Sequence, residues 1–462
     1  MSELDPSKLT SVDEFGDRLS IIPAEVQGYF HNRRRWVHAI LLAVFLLLPW
    51  TSINGHQTIL LNIADREFAL FGVSFQSYDA PLIFFLLGIL TLGLAFVTSV
   101  WGRVWCGWAC PQTVFIEAVF RRIEKWVEGG YIERRALRDA PLSAHKIYKK
   151  SLKWILFFLV SSLVAHSFMA YFVGAKHLSE MMQNDPSKNL NYFLLVSFFT
   201  ALILFDFAWF REQFCVIMCP YGRIQSLLLD KKSLAVVYDV NRGEPRKGKD
   251  PNKRGDCVSC NRCVQVCPTG IDIRNGLQMD CIACTACVDA CDEIMRKVKK
   301  PEGLIRYDTL DGSKINLLRP RSLIYLAMIA LLTIILVTTL ATRAPVDLTL
   351  MRAPGLPYTS IADAQGQPVI LNQYKIHFQN QQDGNAKYKI ALMDAPVGII
   401  LTSAEKEFEL KTGEAREIHF FVTAPKEVFA NHHGKVLVTL GIFGDANFQI
   451  KKELTLLGPQ NL

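Results

Sequence analysis

Cys257, Cys260, Cys263 and Cys267, then Cys281, Cys284, Cys287 and Cys291, put eight of the chain's twelve cysteines into one 35-residue window. The first run is C-x2-C-x2-C-x3-C with Pro268 after its last cysteine. The second repeats the spacing and carries Asp292 where the proline would stand. A cubane iron–sulfur cluster needs four thiolates converging on one small body, and a tight C-x2-C-x2-C loop supplies three of them. Structural zinc fits less well, because its sites pair C-x2-C units across a longer spacer. The spacing therefore implies two [4Fe-4S] clusters and one-electron transfer.

In ferredoxins with two such clusters, the fourth cysteine of each run serves the other cluster. That rule assigns Cys257, Cys260, Cys263 and Cys291 to one cluster, and Cys267, Cys281, Cys284 and Cys287 to the other. Crossed ligation of this kind keeps two clusters close enough to exchange electrons.

The remaining four cysteines form a repeat. Cys106 and Cys110-Pro111 recur as Cys215 and Cys219-Pro220 at an offset of 109 residues, with Trp101 and Trp209 ahead of them. Cysteines four apart share a face of a helix, where two thiols suit a soft ion such as Cu(I) or act as a redox pair. The proline biases each second cysteine away from helical geometry. Ordinary buried thiols are the plainer alternative; the exact duplication favours a functional reading. Two hairpins packed together would bring the four thiols to one place.

Weaker candidates are His166 within the third run and Asp206 near the end of the fourth, since ionisable groups in a membrane are costly; the plainer readings are a packed, hydrogen-bonded histidine and a carboxylate that reaches the interface. His177, Met181 and Met182 offer soft donors in a loop, but read better as loop residues. His432-His433 reads as a solvated turn. No phosphate-binding glycine loop, dinucleotide fingerprint or hydrolase elbow stands out.

The elements that must hold these cysteines are mostly apolar. Half of the 462 residues are hydrophobic and the formal charge is +8. Five runs are long enough to cross a bilayer: Trp36–Ile53, Ala80–Val100, Leu152–Val173, Tyr192–Phe210 and Ser322–Leu340. The segment from Gly102 to Ser151 holds ten basic residues, whereas Asn54–Asp79 holds only Arg66, and Gly174–Asn191 holds Lys176 and Lys188. By the positive-inside rule the N-terminus, Gly102–Ser151 and the long insert Arg211–Arg321 face the cytoplasm, and the tail lies outside. Arg33-Arg34-Arg35 before the first run read as the flank of a retained anchor rather than of a cleaved leader. The basic residues flank apolar spans, so nothing points to nucleic acid.

The organisation expected is then an N-terminal tail (1–35), a four-span domain (36–210), a two-cluster insert (211–321), a fifth span (322–340) and an outer domain (345–462). A hydrophilic linker, Asn241–Arg254, precedes the cysteine window. In the outer domain, β-rich runs at Tyr374–Phe378, Tyr388–Leu392, Gly398–Leu401, Glu417–Thr423, Val436–Ile442 and Phe448–Leu456 alternate with turn signals such as Asp383-Gly384-Asn385 and Thr412-Gly413. Short strands at near-regular spacing argue for a β-sandwich.

This arrangement resembles the CcoG/FixG (RdxA) family of bacterial cytochrome oxidase accessory proteins. The carrying residues are Trp105-Cys106-Gly107-Trp108-Ala109-Cys110-Pro111, Cys219-Pro220-Tyr221-Gly222-Arg223, and the window from Cys257 to Cys291 ending Ala290-Cys291-Asp292-Glu293. The resemblance implies a multi-pass α-helical protein of the bacterial inner membrane with a cytoplasmic ferredoxin-like 2[4Fe-4S] domain and a periplasmic immunoglobulin-like β-sandwich. It further implies reduction of Cu(II) to Cu(I) for assembly of a cbb3-type oxidase, with copper at Cys106, Cys110, Cys215 and Cys219. Its partners would be the oxidase assembly machinery, copper carriers and an electron donor the sequence does not name; a homodimer stays open. A quinol dehydrogenase subunit and a non-enzymatic scaffold are the competing readings.

Overall fold

Apolar length dictates the helices. In the computed structural model, four helices among the described residues are long and apolar enough to cross a membrane: Leu82–Trp101, Ala144–Val173, Pro186–Phe210 and Pro320–Ala341. At 1.5 Å per residue, about 20 residues cover a hydrocarbon core. Ile324, Leu331, Ile334 and Val337 on the last of these stay exposed, as lipid-facing side chains do when only lipid surrounds them. The protein is thus a multi-pass helical membrane protein.

The structure describes residues 21–459 apart from 54–55, 64–66, 77–79, 247–254, 314–315, 318, 343–345, 363–366, 381–384, 394, 412–413, 431–432 and 445–448. It divides into two units, Met1–Val337 and Thr338–Leu462. Most of the linker, His432, and the turns at Asp383-Gly384 and Thr412-Gly413 lie outside the described residues.

The first apolar run departs from expectation. Its helix, Tyr29–Leu47, begins before the arginines, so Arg33–Arg35 lie inside it, and Arg34 and His38 are buried. A 3-10 turn, Leu48–Trp50, follows with Pro49 in it. The helix thus starts ahead of the expected run and ends before it does, and among the described helices four meet the length and composition of a span.

Between the third and fourth of these long helices lies the cysteine window. An antiparallel pair, Leu234–Tyr238 against Ile305–Thr309, closes its two ends. The helix Ala286–Lys297 packs over it with Val288, Ala290 and Met295 buried. Asp289 on that helix accepts hydrogen bonds from the backbone N–H groups of Phe30 and His31 (3.2 and 2.7 Å). It thereby satisfies donors at the start of helix Tyr29–Leu47, as a capping carboxylate does. A Cβ on Gly28 would overlap the Asp289 carboxyl group.

The second unit is two antiparallel sheets. One runs Ile400–Ser403, Ala415–Pro425, Pro368–Asn380, Val346–Arg352, with Thr359–Ala362 also paired to Pro368–Asn380. The other runs Glu407–Leu410, Ala386–Met393, Lys435–Gly444, Gln449–Leu457. Alternate residues of Pro368–Asn380 are buried, the period of a strand with one face inward. Phe378, Tyr388, Phe408 and Phe420 fill the sandwich. Each predicted strand overlaps an observed one. Val346–Arg352, Thr359–Ala362 and Glu407–Leu410 were not anticipated, and neither was a small sheet of Ile59–Asn62, Glu67–Leu70 and Val73–Gln76.

Candidate functional site

The eight window cysteines surround two adjacent cavities. Cys257, Cys260, Cys263 and Cys291 line one with Tyr238, Met295 and Leu304. Cys267, Cys281, Cys284 and Cys287 line the other with Val236, Ile271 and Ile273, and Cys263 stands at the wall between them. The backbone repeats itself around the two. Ser259 and Asn261 after Cys257 have φ of 56° and 55°, and Ala283 and Thr285 after Cys281 have 52° and 61°. Left-handed conformations are costly for residues other than glycine. Their recurrence at matching places is the backbone curl that turns successive N–H groups inward, as at many iron–sulfur sites.

Burial pushes the thiols of Cys281 and Cys291 up to about 12 and that of Cys263 up to about 11, and raises Cys287 well above its ordinary value. Such thiols ionise only when a cation makes thiolate the favoured form. Seven buried or half-buried cysteines and the exposed Cys260, gathered around two mostly apolar cavities, fit iron–sulfur clusters.

The C-x3-C-P pairs share one local design. Cys110 and Cys219 are extended (ψ 127° and 111°), and Pro111 and Pro220 each open the next helix. Proline is pre-set for a first helical position and cannot continue the helix before it, so each motif is a helix end meeting a helix start. Cys106 lies in the short helix Val104–Trp108, and Cys215 in the π-helical turn Phe214–Met218. Burial raises the Cys106 thiol to about 12, and nearby Cys110 and Cys219 raise it too. Cys215 is raised by burial and then by Cys110, Cys106 and Cys219. The four sulfurs of the two repeats thus lie within electrostatic reach of one another. The Cys106 thiol also meets Gln225 Oε1 at 3.4 Å. Among the described residues no three Cys, His, Asp or Glu side chains are spaced to cage one ion.

Backbone contact joins this group to the second cavity. A Cβ on Gly107 would lie 2.6 Å from the Ile282 carbonyl oxygen and 2.9 Å from Cys284 Cα. Only a glycine lets Val104–Trp108 rest on that loop. Buried Arg103 donates to the carbonyl oxygens of Cys281 (3.1 Å) and Met279, and Arg34 donates to that of Cys284 (2.9 Å). Sequence reasoning missed Arg103 and Arg34, whose partners lie far along the chain.

The two repeats are clamped together. Gln112, next to Pro111, donates to Asp206 Oδ1 (2.9 Å) and to the carbonyl of Arg211 (3.0 Å). Arg211, itself at φ 52°, pairs with Glu124 at 2.6 Å, and Arg121 bridges Glu117 and Glu212. Burial would raise the Glu124 carboxyl, but Arg211, Lys153 and Arg134 override it and hold it at about 2. A depressed carboxylate contributes stability that is complete above its unfolded value and is lost as pH falls through about 2. Glu124→Gln strands these cations and is expected to destabilise the protein by about 3–5 kcal/mol. The thermal midpoint of the wild type should stay level from neutral pH down to roughly 5 and then fall, whereas the variant's should start lower and slope less. Equal midpoints at neutral pH would contradict this role.

The weaker candidates resolve simply. His166 Nδ1 lies 2.7 Å from the Ser162 carbonyl, one turn back on its own helix. Asp206 is the partner of Gln112. His177, Met181 and Met182, read from sequence as loop residues, lie instead on helix Ala175–Gln183, where His177 packs edge-on against Tyr192 of helix Leu190–Leu204.

Comparison with known proteins agrees with this architecture. A family model described as a 4Fe-4S dicluster domain matches residues 210–310, and one described as a 4Fe-4S binding domain matches 82–128. A third, the IG-like fold at the C-terminal of FixG, matches 336–459. The chain is 32% identical to Protein RdxA of Cereibacter sphaeroides over 433 residues, covering 89% of this chain and 91% of that one. It is 32% identical to Protein RdxB of the same organism, covering 82% and 83%. It is 33% identical to Nitrogen fixation protein FixG of Rhizobium meliloti, covering 65% and 59%. A crystal structure of a FixG-related protein from Vibrio parahaemolyticus aligns with 25% of this chain and 97% of its own, at 11% identity and a TM-score of 0.21.

Proposed function

Because the chain belongs to the FixG/RdxA family of membrane iron–sulfur proteins, we propose that it reduces Cu(II) to Cu(I) at the C-x3-C-P thiols, in the service of cbb3-type oxidase assembly. When bound, the iron–sulfur clusters supply electrons one at a time. Cys257, Cys260, Cys263 and Cys291 would hold one, and Cys267, Cys281, Cys284 and Cys287 the other. Cys106, Cys110, Cys215 and Cys219 receive copper as substrate. Soft sulfur donors favour the cuprous state, so the pairs bias the ion toward its product form.

The observation that supports this reading most is the seat of Gly107 on the Ile282–Cys284 backbone. It brings the backbone next to Cys106 against the loop that carries Cys281 and Cys284, two residues lining the second cavity. In this reading the cysteine-bearing segments face the cytoplasm of a bacterial inner membrane, where thiols stay reduced. The outer sandwich is a periplasmic docking module, because its core carries packing residues and no catalytic constellation.

The test uses the full-length protein, loaded with iron and chemically reduced without oxygen. One portion meets Cu(II) with a cuprous chelator present; an oxidised portion meets a quinol. Formation of the cuprous complex is the expected result. No cuprous complex, with rapid cluster reduction by quinol, would replace the proposal with quinol dehydrogenation.

A further inference from the structure

Beside the first cysteine hairpin lies a cavity of about 580 Å³ that the reading above does not use. Its lining is strongly cationic. Arg34, Arg35, Arg121, Arg122, Lys125 and Arg134 face it, against two carboxylates, Glu25 and Glu117. The inner arginines are partly neutralised: Arg34 and Arg121 pair with Glu117, and Arg134 with Glu124 and Glu25. Among the described residues, Arg35, Arg122 and Lys125 enter no ion pair. Burial and the charge of Arg35 both disfavour the charged form of Arg122.

Deeper in, two donors lack acceptors. The Nε–H groups of Arg121 and Arg134 are buried without a partner, on residues only 8% and 7% exposed. A guanidinium N–H can only donate, and leaving one buried and unpaired costs free energy. Glu25 Oε1, on the same lining, is also buried without a hydrogen-bond partner. An anion that accepts from the two guanidinium groups and carries one O–H to meet Glu25 would satisfy all three and balance the cationic excess. A phosphoryl group does both, since its several oxygens match the guanidinium fork. Arg35 and Arg122 also border a second opening beside Trp36 and Ala39 on helix Tyr29–Leu47. That opening leaves room for an acyl chain beside the Trp36 and Ala39 side chains.

We propose that this cavity binds a phosphoryl-bearing anion, gripped at its mouth by Arg35, Arg122 and Lys125 and met further in by Arg121 Nε and Arg134 Nε. Pro268 and Ala286 form part of the wall, so the occupant rests against residues adjoining Cys267 and Cys287. The phosphoryl group has two sources, a phospholipid headgroup or a soluble phosphate.

Full-length, iron-loaded protein in phosphatidylcholine nanodiscs is titrated calorimetrically with inorganic pyrophosphate. In parallel, protein released from mixed phosphatidylglycerol and phosphatidylcholine is weighed by native mass spectrometry. Both arms compare wild type with Arg35→Gln/Arg122→Gln/Lys125→Gln, whose three sites are exposed. A control, Arg33→Gln/Arg135→Gln/Arg138→Gln, removes equal charge outside the cavity. Wild type should bind in one arm, which names the source. The cavity variant should bind at least about tenfold more weakly with its cluster absorbance intact, and the control should match wild type. Binding in neither arm, an unaffected cavity variant, or a control that loses as much would overturn the proposal.

Discussion

Replacing Cys257 and Cys267 together is expected to strip the protein of essentially all its iron, whereas replacing Cys257 and Cys291 together should leave about half. Two cubane clusters amount to about eight iron atoms per chain. Cys257 and Cys291 line the same cavity, so losing both costs one cluster. Cys257 and Cys267 line different cavities, so losing both costs two. If each run of cysteines instead served its own cluster, the outcomes would exchange places. Iron and acid-labile sulfide analysis of the two double variants, purified without oxygen, separates these cases. The comparison is internal, so a general loss of stability from removing any two cysteines does not mimic it.

The second large effect concerns the other thiols. Removing an outer-shell partner of a metal site costs about 10–100-fold in affinity, so losing two donor sulfurs should cost at least about 100-fold. Cys106→Ala/Cys110→Ala and Cys215→Ala/Cys219→Ala should therefore each abolish most Cu(II) reduction while retaining wild-type iron. The two pairs should behave alike, because each thiol stands within electrostatic reach of the other repeat and Gln112 ties the repeats together. If one pair proved dispensable, the substrate would be held by a single repeat. If neither variant slowed the reaction, copper would be reduced elsewhere. The readout is the rate of cuprous chelate formation, normalised to iron content.

Much of this organisation could be read from residue order, because it is local. C-x2-C-x2-C spacing is set by how a loop wraps a cluster, and strand alternation in Pro368–Asn380 is set by the pleat. The helix breaks at Cys110 and Cys219 follow from Pro111 and Pro220. What stayed hidden depends on distant partners. Arg34 looked like a flanking charge but is buried, with its donor on the Cys284 carbonyl. Arg103 and Gly107 gain their roles only once the loop at Cys281–Cys284 is folded onto them. Glu124 and Arg211 are an ion pair in space and nothing in sequence. Hydrophobic length alone did not show that the first helix starts ahead of the arginines and gives way to a 3-10 turn at Pro49. Short strands such as Glu407–Leu410 carry too few residues to show a period.

The most direct test of the central claim is a single-turnover count. The reduced protein, freed of reductant, is mixed without oxygen with excess Cu(II), and cuprous ion and cluster oxidation are measured together. The account predicts one Cu(I) for each electron the clusters lose, about two per chain when each cluster holds one. It also predicts that chains lacking Cys106, Cys110, Cys215 and Cys219 keep their electrons. Clusters that stay reduced in the wild type, or that discharge equally fast without those four thiols, would contradict it.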